Sequence, residues 1–232
     1  MPSRFRWAYS DNYCPPLATS RIRSNSPLAE TPFSLSFTAA SLRPELVRVV
    51  AEAYLQTASW EAAKAQVLAA NSLQARSPSS ALRMERELRQ RLMHLTPEQL
   101  RLAAHGMTDE RTAIAWLAAM KASSFIFVFA ADVLRTKIAL LDPVLRASDY
   151  EAFLIDQCAA HPEVGKLTPT TRTKIRSVLF SMVREAGIGA QTGRELRLQR
   201  PLIPPAVHAA ILADSARWLT GFLVPDQELS VN

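Results

Sequence analysis

Helix-start signals recur along this chain and constrain its fold more than any other feature. A Ser or Thr that can cap a helix is followed directly by Pro, which suits the first helical turn, at Ser77, Thr96 and Thr168. Ser41, Ser59, Thr108 and Ser148 are further candidate caps, although no Pro follows them directly. With only 6 Gly in 232 residues and abundant Ala, Leu and Arg, such a chain is predicted to be mainly all-α, a compact helical bundle.

The caps and the apolar periodicity together divide the chain into predicted helices. Their ranges are 42–55, 59–70, 78–94, 97–105, 108–141, 148–161, 168–187 and 205–223, and we expect two helices within 108–141. The longest clean apolar run is Ala122–Ala131. A membrane span needs about 20 apolar residues, so we expect this run to be buried core and predict no membrane span.

The C-terminal third follows a different pattern. After the helices at 148–161 and 168–187, the segment 195–199 alternates apolar and polar residues like a strand, and a further helix follows. This order is typical of a winged-helix-like unit with a short β-hairpin, although a small α-bundle with an incidental hairpin gives the same pattern. We therefore predict a flexible arm (1–33), a helical bundle (34–147) and a helix–hairpin–helix unit (148–232) packed on that bundle.

Motifs that carry chemistry are missing from the sequence. It contains no GxxxxGK[ST], GxSxG or HExxH motif, and its glycines at 187, 189 and 193 follow a helix with the wrong spacing for GxGxxG. Cys14 and Cys158 are far apart, which favours two reduced thiols in the cytoplasm over one disulfide. We expect no catalytic site, no metal and no cofactor.

Basic residues concentrate in one segment. The chain has 27 Lys+Arg against 21 Asp+Glu, a net charge of +6, and residues 166–200 alone hold eight basic and two acidic side chains. Arg predominates, and its planar guanidinium suits phosphate, while neighbouring Ser and Thr can donate to phosphate oxygens. The alternative is a solvated face with salt bridges along its own helix.

Two helical regions supply the candidate DNA-binding residues. These are Arg76, Arg83, Arg86, Thr170, Arg172, Lys174, Arg176, Arg194, Arg197 and Arg200. A third basic cluster, in the predicted arm, consists of Arg4, Arg6, Arg21 and Arg23. Contacts of this kind are mostly electrostatic, so we expect weakly sequence-selective binding that falls steeply with salt.

Six stretches of the chain together form a recognisable pattern: NSLQARSP at 71–78, RQRL at 89–92, TPTTRTKI at 168–175, VLFSMVREAG at 178–187, LRLQ at 196–199 and IPP at 203–205. They resemble segments of the BrxA family of bacteriophage exclusion (BREX) phage-defence systems. Their order and spacing agree from about residue 34 to residue 223. The segment before Phe33 has no counterpart in the family, so it is either an extension or a mis-assigned start.

The resemblance implies an all-helical, NusB-like protein of bacterial phage defence that binds nucleic acid and catalyses no reaction. The partners it implies are double-stranded DNA and other BREX components, which include a methyltransferase, an ATPase and a phosphatase-like protein. Two alternatives remain open: a protein-interaction scaffold whose basic faces bind an acidic partner, and an RNA-binding protein by the NusB analogy.

Overall fold

Side-chain caps begin four of the helices in the computed structural model, which describes residues 32–229. The side chains of Ser59, Ser77, Thr96 and Thr168 each accept a hydrogen bond from the backbone N–H three residues further on. The helices within this range are α1 (Pro44–Thr57), α2 (Trp60–Ala69), α3 (Pro78–Leu92), α4 (Pro97–His105), α5 (Thr108–Ala122), α6 (Ser124–Val128), α7 (Arg135–Ala139), α8 (Ala147–Gln157), α9 (Pro162–Gly165), α10 (Pro169–Glu185), α11 (Pro205–Leu212) and α12 (Asp226–Leu229). The prediction of a mainly all-α fold is confirmed.

Three residues predicted to be N-caps, Ser41, Thr108 and Ser148, do not occupy the N-cap position in the structure. Met107 and Arg146 are the N-cap residues of α5 and α8, and in each case a carboxylate three residues later accepts the backbone N–H. These helix starts are therefore stabilised by the carboxylates of Glu110 and Asp149, and not by the predicted side-chain caps Thr108 and Ser148. Helix α1 begins at Pro44 rather than at residue 42, because Arg43 adopts a left-handed conformation (φ 51°) and no longer continues a helix from Ser41.

The last predicted helix, 205–223, was too long. Helix α11 ends at Leu212, and Ala216–Phe222 forms a separate 3-10 helix. Ser215 between them has an extended backbone (φ −165°, ψ 123°), so the helical conformation is interrupted there.

Helix α5 lies at the centre of the core, where residues 113–120 are all buried. After Ser123 the chain bends by 113° into α6, which continues through the π-helical turn Phe129–Leu134 into α7. The predicted break within 108–141 is therefore confirmed. No single helix among residues 32–229 is long and apolar enough to span a bilayer, and only the bent pair taken together meets that length and composition.

A three-stranded antiparallel sheet packs beside α10. Its strands are β1 (Val144–Leu145), β2 (Gly189–Thr192) and β3 (Glu195–Leu198), in the order β1-β3-β2. The β2–β3 hairpin was predicted, whereas β1, two residues long, was not. The chain order β1-α8-α9-α10-β2-β3 is that of a winged helix-turn-helix. Strand β1 precedes residue 148, so the sheet crosses the predicted boundary between bundle and C-terminal unit, and the domain division stays a prediction.

The first described residues of the chain pack against the segment that joins α8 to α9. Phe33 is buried, its ring stacks on that of His161 with centroids 3.6 Å apart, and its N–H donates to Glu163 Oε1 at 2.6 Å. The last residue of the predicted arm is thus anchored between α8 and α9. The rest of the predicted arm up to residue 31, with its arginine cluster and Cys14, lies outside the described residues.

Candidate nucleic-acid interface

Apolar packing fixes which face of α10 points outward. Ile175, Leu179 and Met182 are buried, and they recur at the spacing of one helical face. Tyr150 of α8 is also buried and donates its hydroxyl to the backbone oxygen of Arg172 at 3.2 Å. Burial raises the pKa of the Tyr150 phenol, so it remains a neutral hydrogen-bond donor. Helix α10 is therefore held against α8 as the second helix of a helix-turn-helix.

The outward face of α10 carries hydroxyls and positive charge but no carboxylate. Thr170, Thr173, Lys174, Ser177 and Arg184 are exposed along it. The first turn contains no acidic residue, although acids are favoured there. The partial positive charge of the helix N-terminus is therefore not neutralised by a side chain of its own first turn, which is a suitable environment for an anion.

The β2–β3 hairpin packs beside α10 and carries two further exposed arginines. Leu196 and Leu198 point into the core, so the alternate residue Arg197 is exposed, as is Arg194 beside the turn. Gly193 makes that turn with φ 60°, a conformation that glycine adopts without strain. Arg197 pairs with its exposed neighbour Glu195 at 3.4 Å.

The hairpin is held close to α10. A Cβ atom at Gly189 would lie 2.8 Å from Leu196 Cδ1 and 3.1 Å from Val183 Cγ1, so glycine allows this close approach of β2 without a shift of either side chain. Helix and hairpin are therefore packed closely together. We give the name α10–ribbon surface to seven of the exposed polar residues of α10 and the hairpin: Thr170, Thr173, Lys174, Ser177, Gln191, Arg194 and Arg197. The carboxylate of Glu195 is exposed beside them.

Two predicted contact residues of α10 lie elsewhere than expected. Arg172 is only 8% exposed, and its guanidinium donates to the backbone oxygen of Gly165 at 3.4 Å. It lies on the same face as Ile175, so it joins α9 to α10 rather than facing outward. Arg176 is half-buried and pairs with Glu151 of α8 at 3.2 Å. Of the four predicted contact residues on α10, only Thr170 and Lys174 are thus exposed.

The remaining predicted residues occupy two other places. Arg200 follows β3 and forms a two-pronged ion pair with Glu228 of α12. Arg76 precedes α3 and lines a groove with Arg43 and Glu185. Arg83 and Arg86 are exposed on α3, as their spacing predicts.

The α3 arginine cluster divides into surface and interior residues. Arg89 pairs with the fully buried Glu85 at 2.8 Å, and Arg91 is 2% exposed beside Glu87. Arg91 also donates to the backbone oxygens of Phe37, Ala40 and Ser41. Both arginines pair with carboxylates of their own helix, and Arg91 is too deeply buried to contact a partner.

Sequence reasoning did not select Gln191, nor did its final choice include Thr173 and Ser177. The signal for the two hydroxyl residues was present, since both lie on the polar side of a clearly periodic helix. Gln191 had no such signal, because β2 is a four-residue edge strand that alternates poorly. Among residues 32–229, no group of three or more His, Cys, Asp or Glu is placed to hold a metal ion.

A family model described as BrxA matches residues 31–215, which is most of the chain. The chain belongs to the BrxA family. A relative named BREX protein BrxA, from Escherichia coli O9:H4 (strain HS), is 27% identical over 164 residues, covering 71% of this chain and 76% of the relative. The family resemblance drawn from the sequence is thus confirmed.

A solved structure supports the fold of this BrxA protein. The crystal structure of an uncharacterized protein from Magnetospirillum magneticum superposes with a TM-score of 0.74 at 19% identity, covering 83% of this chain and 98% of that one. At that identity the match concerns the fold alone. The likeness to NusB stays a prediction.

Proposed function

We propose that this protein is a non-catalytic, double-stranded-DNA-binding accessory component of a cytoplasmic BREX phage-defence system. The observation that carries the proposal is the α10–ribbon surface. It is a carboxylate-free helix face beside an arginine-bearing hairpin, in winged-helix order. The name of the relative from Escherichia coli, BREX protein BrxA, supports the assignment to a BREX system.

The chemistry of the surface suits a duplex. In winged helix-turn-helix proteins the second helix lies in the major groove, and positions near its N-terminus approach base edges. Here those positions are Thr170, Thr173 and Lys174, with Ser177 one turn further. Hydroxyls and Lys can donate to phosphate oxygens and bases, and Arg194 and Arg197 on the ribbon would bind the adjacent backbone.

Arginines on α3 would extend the footprint. Arg83 and Arg86 are exposed, and the 3-10 turn Phe37–Ala39 packs against both α3 and α10. A contact with Arg76, Arg83 and Arg86 would add only phosphate affinity, because no motif in α3 suits base recognition. Binding through both surfaces would be weakly sequence-selective.

Charge removal on the α10–ribbon surface tests the proposal. Lys174→Ala combined with Arg194→Ala should weaken binding to a random duplex and reduce the slope of log K against log salt by about 2, one per lost phosphate contact. Both side chains are exposed, so the fold should be unaffected. Arg101→Ala combined with Lys64→Ala removes the same charge from α4 and α2; it is the matched control and should change little.

Two results would contradict DNA binding at this surface. One is an affinity in fluorescence anisotropy that the double variant leaves unchanged. The other is preferential binding of RNA in competition, which would favour the RNA-binding alternative. If nuclease-treated protein still co-purifies with other BREX components while duplex binding is absent, the scaffold alternative takes its place.

A further inference from the structure

The C-terminal helix α12 places two carboxylates on two arginines. Asp226 accepts a two-pronged pair of hydrogen bonds from Arg135 of α7, at 2.9 and 3.0 Å. Glu228 accepts a similar pair from Arg200, at 2.7 Å for the Nη1–Oε1 contact. Both carboxylates are exposed, at 78% and 51% of the side chain. One short acidic segment therefore neutralises two guanidinium groups from different parts of the fold.

Helix α12 also packs against the 3-10 helix Ala216–Phe222. It has four residues and none of them is buried, although Leu229 packs partly against the core. Exposed ion pairs stabilise a structure only weakly, because water and salt screen them. A short surface helix with such contacts belongs to the least stable part of a fold and can open without global unfolding.

We infer that Arg135 and Arg200 form a second phosphate-binding site for DNA, which the acidic helix α12 occupies and competes for. A carboxylate and a phosphodiester both present paired oxygens to the planar fork of Arg, so Asp226 and Glu228 stand where phosphates would bind. The inference rests on the proposed DNA-binding function.

The position of Arg200 connects this site to the α10–ribbon surface. Arg200 and Gln199 directly follow the exposed residues of β3. Arg200 also lines a groove with Arg184, the last exposed basic residue of α10. Asp109 and Glu185 border the same groove. A DNA backbone in this groove would therefore be attracted by Arg184 and Arg200 and repelled by the two acids. Opening of α12 would thus lengthen the existing basic face.

Neutralising the two carboxylates tests the inference without deleting α12. Asp226→Asn with Glu228→Gln keeps the shape of both side chains and of Leu229 behind them. We expect the full-length variant to bind a random duplex about threefold to tenfold tighter, with a salt slope steeper by about 1.8 because two phosphates are added at 0.9 each. Adding Arg135→Ala and Arg200→Ala should cancel both changes.

The matched control removes two negative charges elsewhere. Glu61→Gln with Glu98→Gln breaks two exposed ion pairs, with Lys64 and Arg101, and changes the net charge equally. We expect it to leave the salt slope unchanged. If the α12 variant gains no more affinity than this control, or keeps its gain without the two arginines, the inference is overturned.

The same assay separates this inference from the proposed function. If Lys174→Ala with Arg194→Ala leaves affinity unchanged while the α12 variant gains affinity through its arginines, the α10–ribbon assignment fails and the α12 site stands. If the first pair weakens binding and the α12 variant matches its control, the reverse holds. Circular dichroism of each variant confirms that the fold is intact.

Discussion

Replacing Arg91 with Met should destabilise the whole protein, although Arg91 belongs to a basic cluster on the sequence. Its guanidinium is 2% exposed and pairs with Glu87 at 2.9 Å. It also donates to the backbone oxygens of Phe37, Ala40 and Ser41 at 3.2, 2.7 and 2.7 Å. These bonds fasten the segment before α1 to helix α3.

The magnitude follows from what the substitution leaves behind. Met fills the volume of the Arg stem, but Glu87 loses its counter-charge and three carbonyl oxygens lose their donors. Breaking a buried ion pair by removing one partner costs about 3–5 kcal/mol. For a chain of this length, each kcal/mol of lost stability lowers Tm by roughly 2–4 °C, so we expect Tm to fall by about 6–20 °C.

The loss should also depend on pH. Burial already raises the pKa of Glu87, and Arg91 opposes that rise. Without Arg91 the pKa of Glu87 rises further. A carboxyl with a raised pKa in the folded state stabilises the fold below its unfolded pKa and loses that contribution as pH rises. The deficit of the variant should therefore be largest near neutral pH and smaller in mild acid.

Thermal and urea unfolding followed by circular dichroism measure the effect. Arg83→Met is the matched control, because Arg83 is exposed on the same helix and should cost less than about 0.5 kcal/mol. Glu87→Gln combined with Arg91→Met should cost less than the sum of the single changes, since the two groups interact directly. An Arg91→Met loss below about 1 kcal/mol would refute the reasoning that this cluster is partly interior.

Two further predictions concern the C-terminal region. Gly221→Ala should cost about 1–3 kcal/mol by overpacking, because its Cβ would lie 2.2 Å from the Sδ atom of buried Met120, and a urea midpoint equal to wild type would contradict this. The hydrogen bond from Arg200 lowers the pKa of Glu228, so this pair should persist as pH falls through the ordinary Glu range and be lost only below it. A carboxyl titration by NMR that places Glu228 at or above the usual Glu pKa would contradict the pairing.

Local signals in the sequence were sufficient for most of the helices. Ser59, Ser77, Thr96 and Thr168 each carry their capping information within three residues, which is why these starts were predicted correctly. The two-residue strand β1 could not be predicted in this way. It pairs with β3 some fifty residues later, and its own sequence has no room for an alternating pattern.

The candidate site was predictable only in part, since burial of an arginine depends on its surroundings. The polar face of α10 with Lys174 follows from helical period. Arg172 lies three residues before Ile175 and Arg91 three residues after Leu88, so the same period places both on apolar faces. A count of positive charges along the sequence does not distinguish these buried arginines from exposed ones, and it favoured Arg172 as a contact residue. The pairing of Arg200 with Glu228 joins residues far apart in sequence and had no local signal.

Salt-dependent DNA binding by the described part of the chain is the most direct test of the central claim. Fluorescence anisotropy at several salt concentrations would compare the full chain with one that begins at Ser26, so that Phe33 keeps its place beside His161. The account predicts that both bind a random duplex with a steep negative dependence on salt, because the α10–ribbon surface is present in each. Binding that is lost with residues 1–25 would contradict it and assign the interaction to the N-terminal arginines.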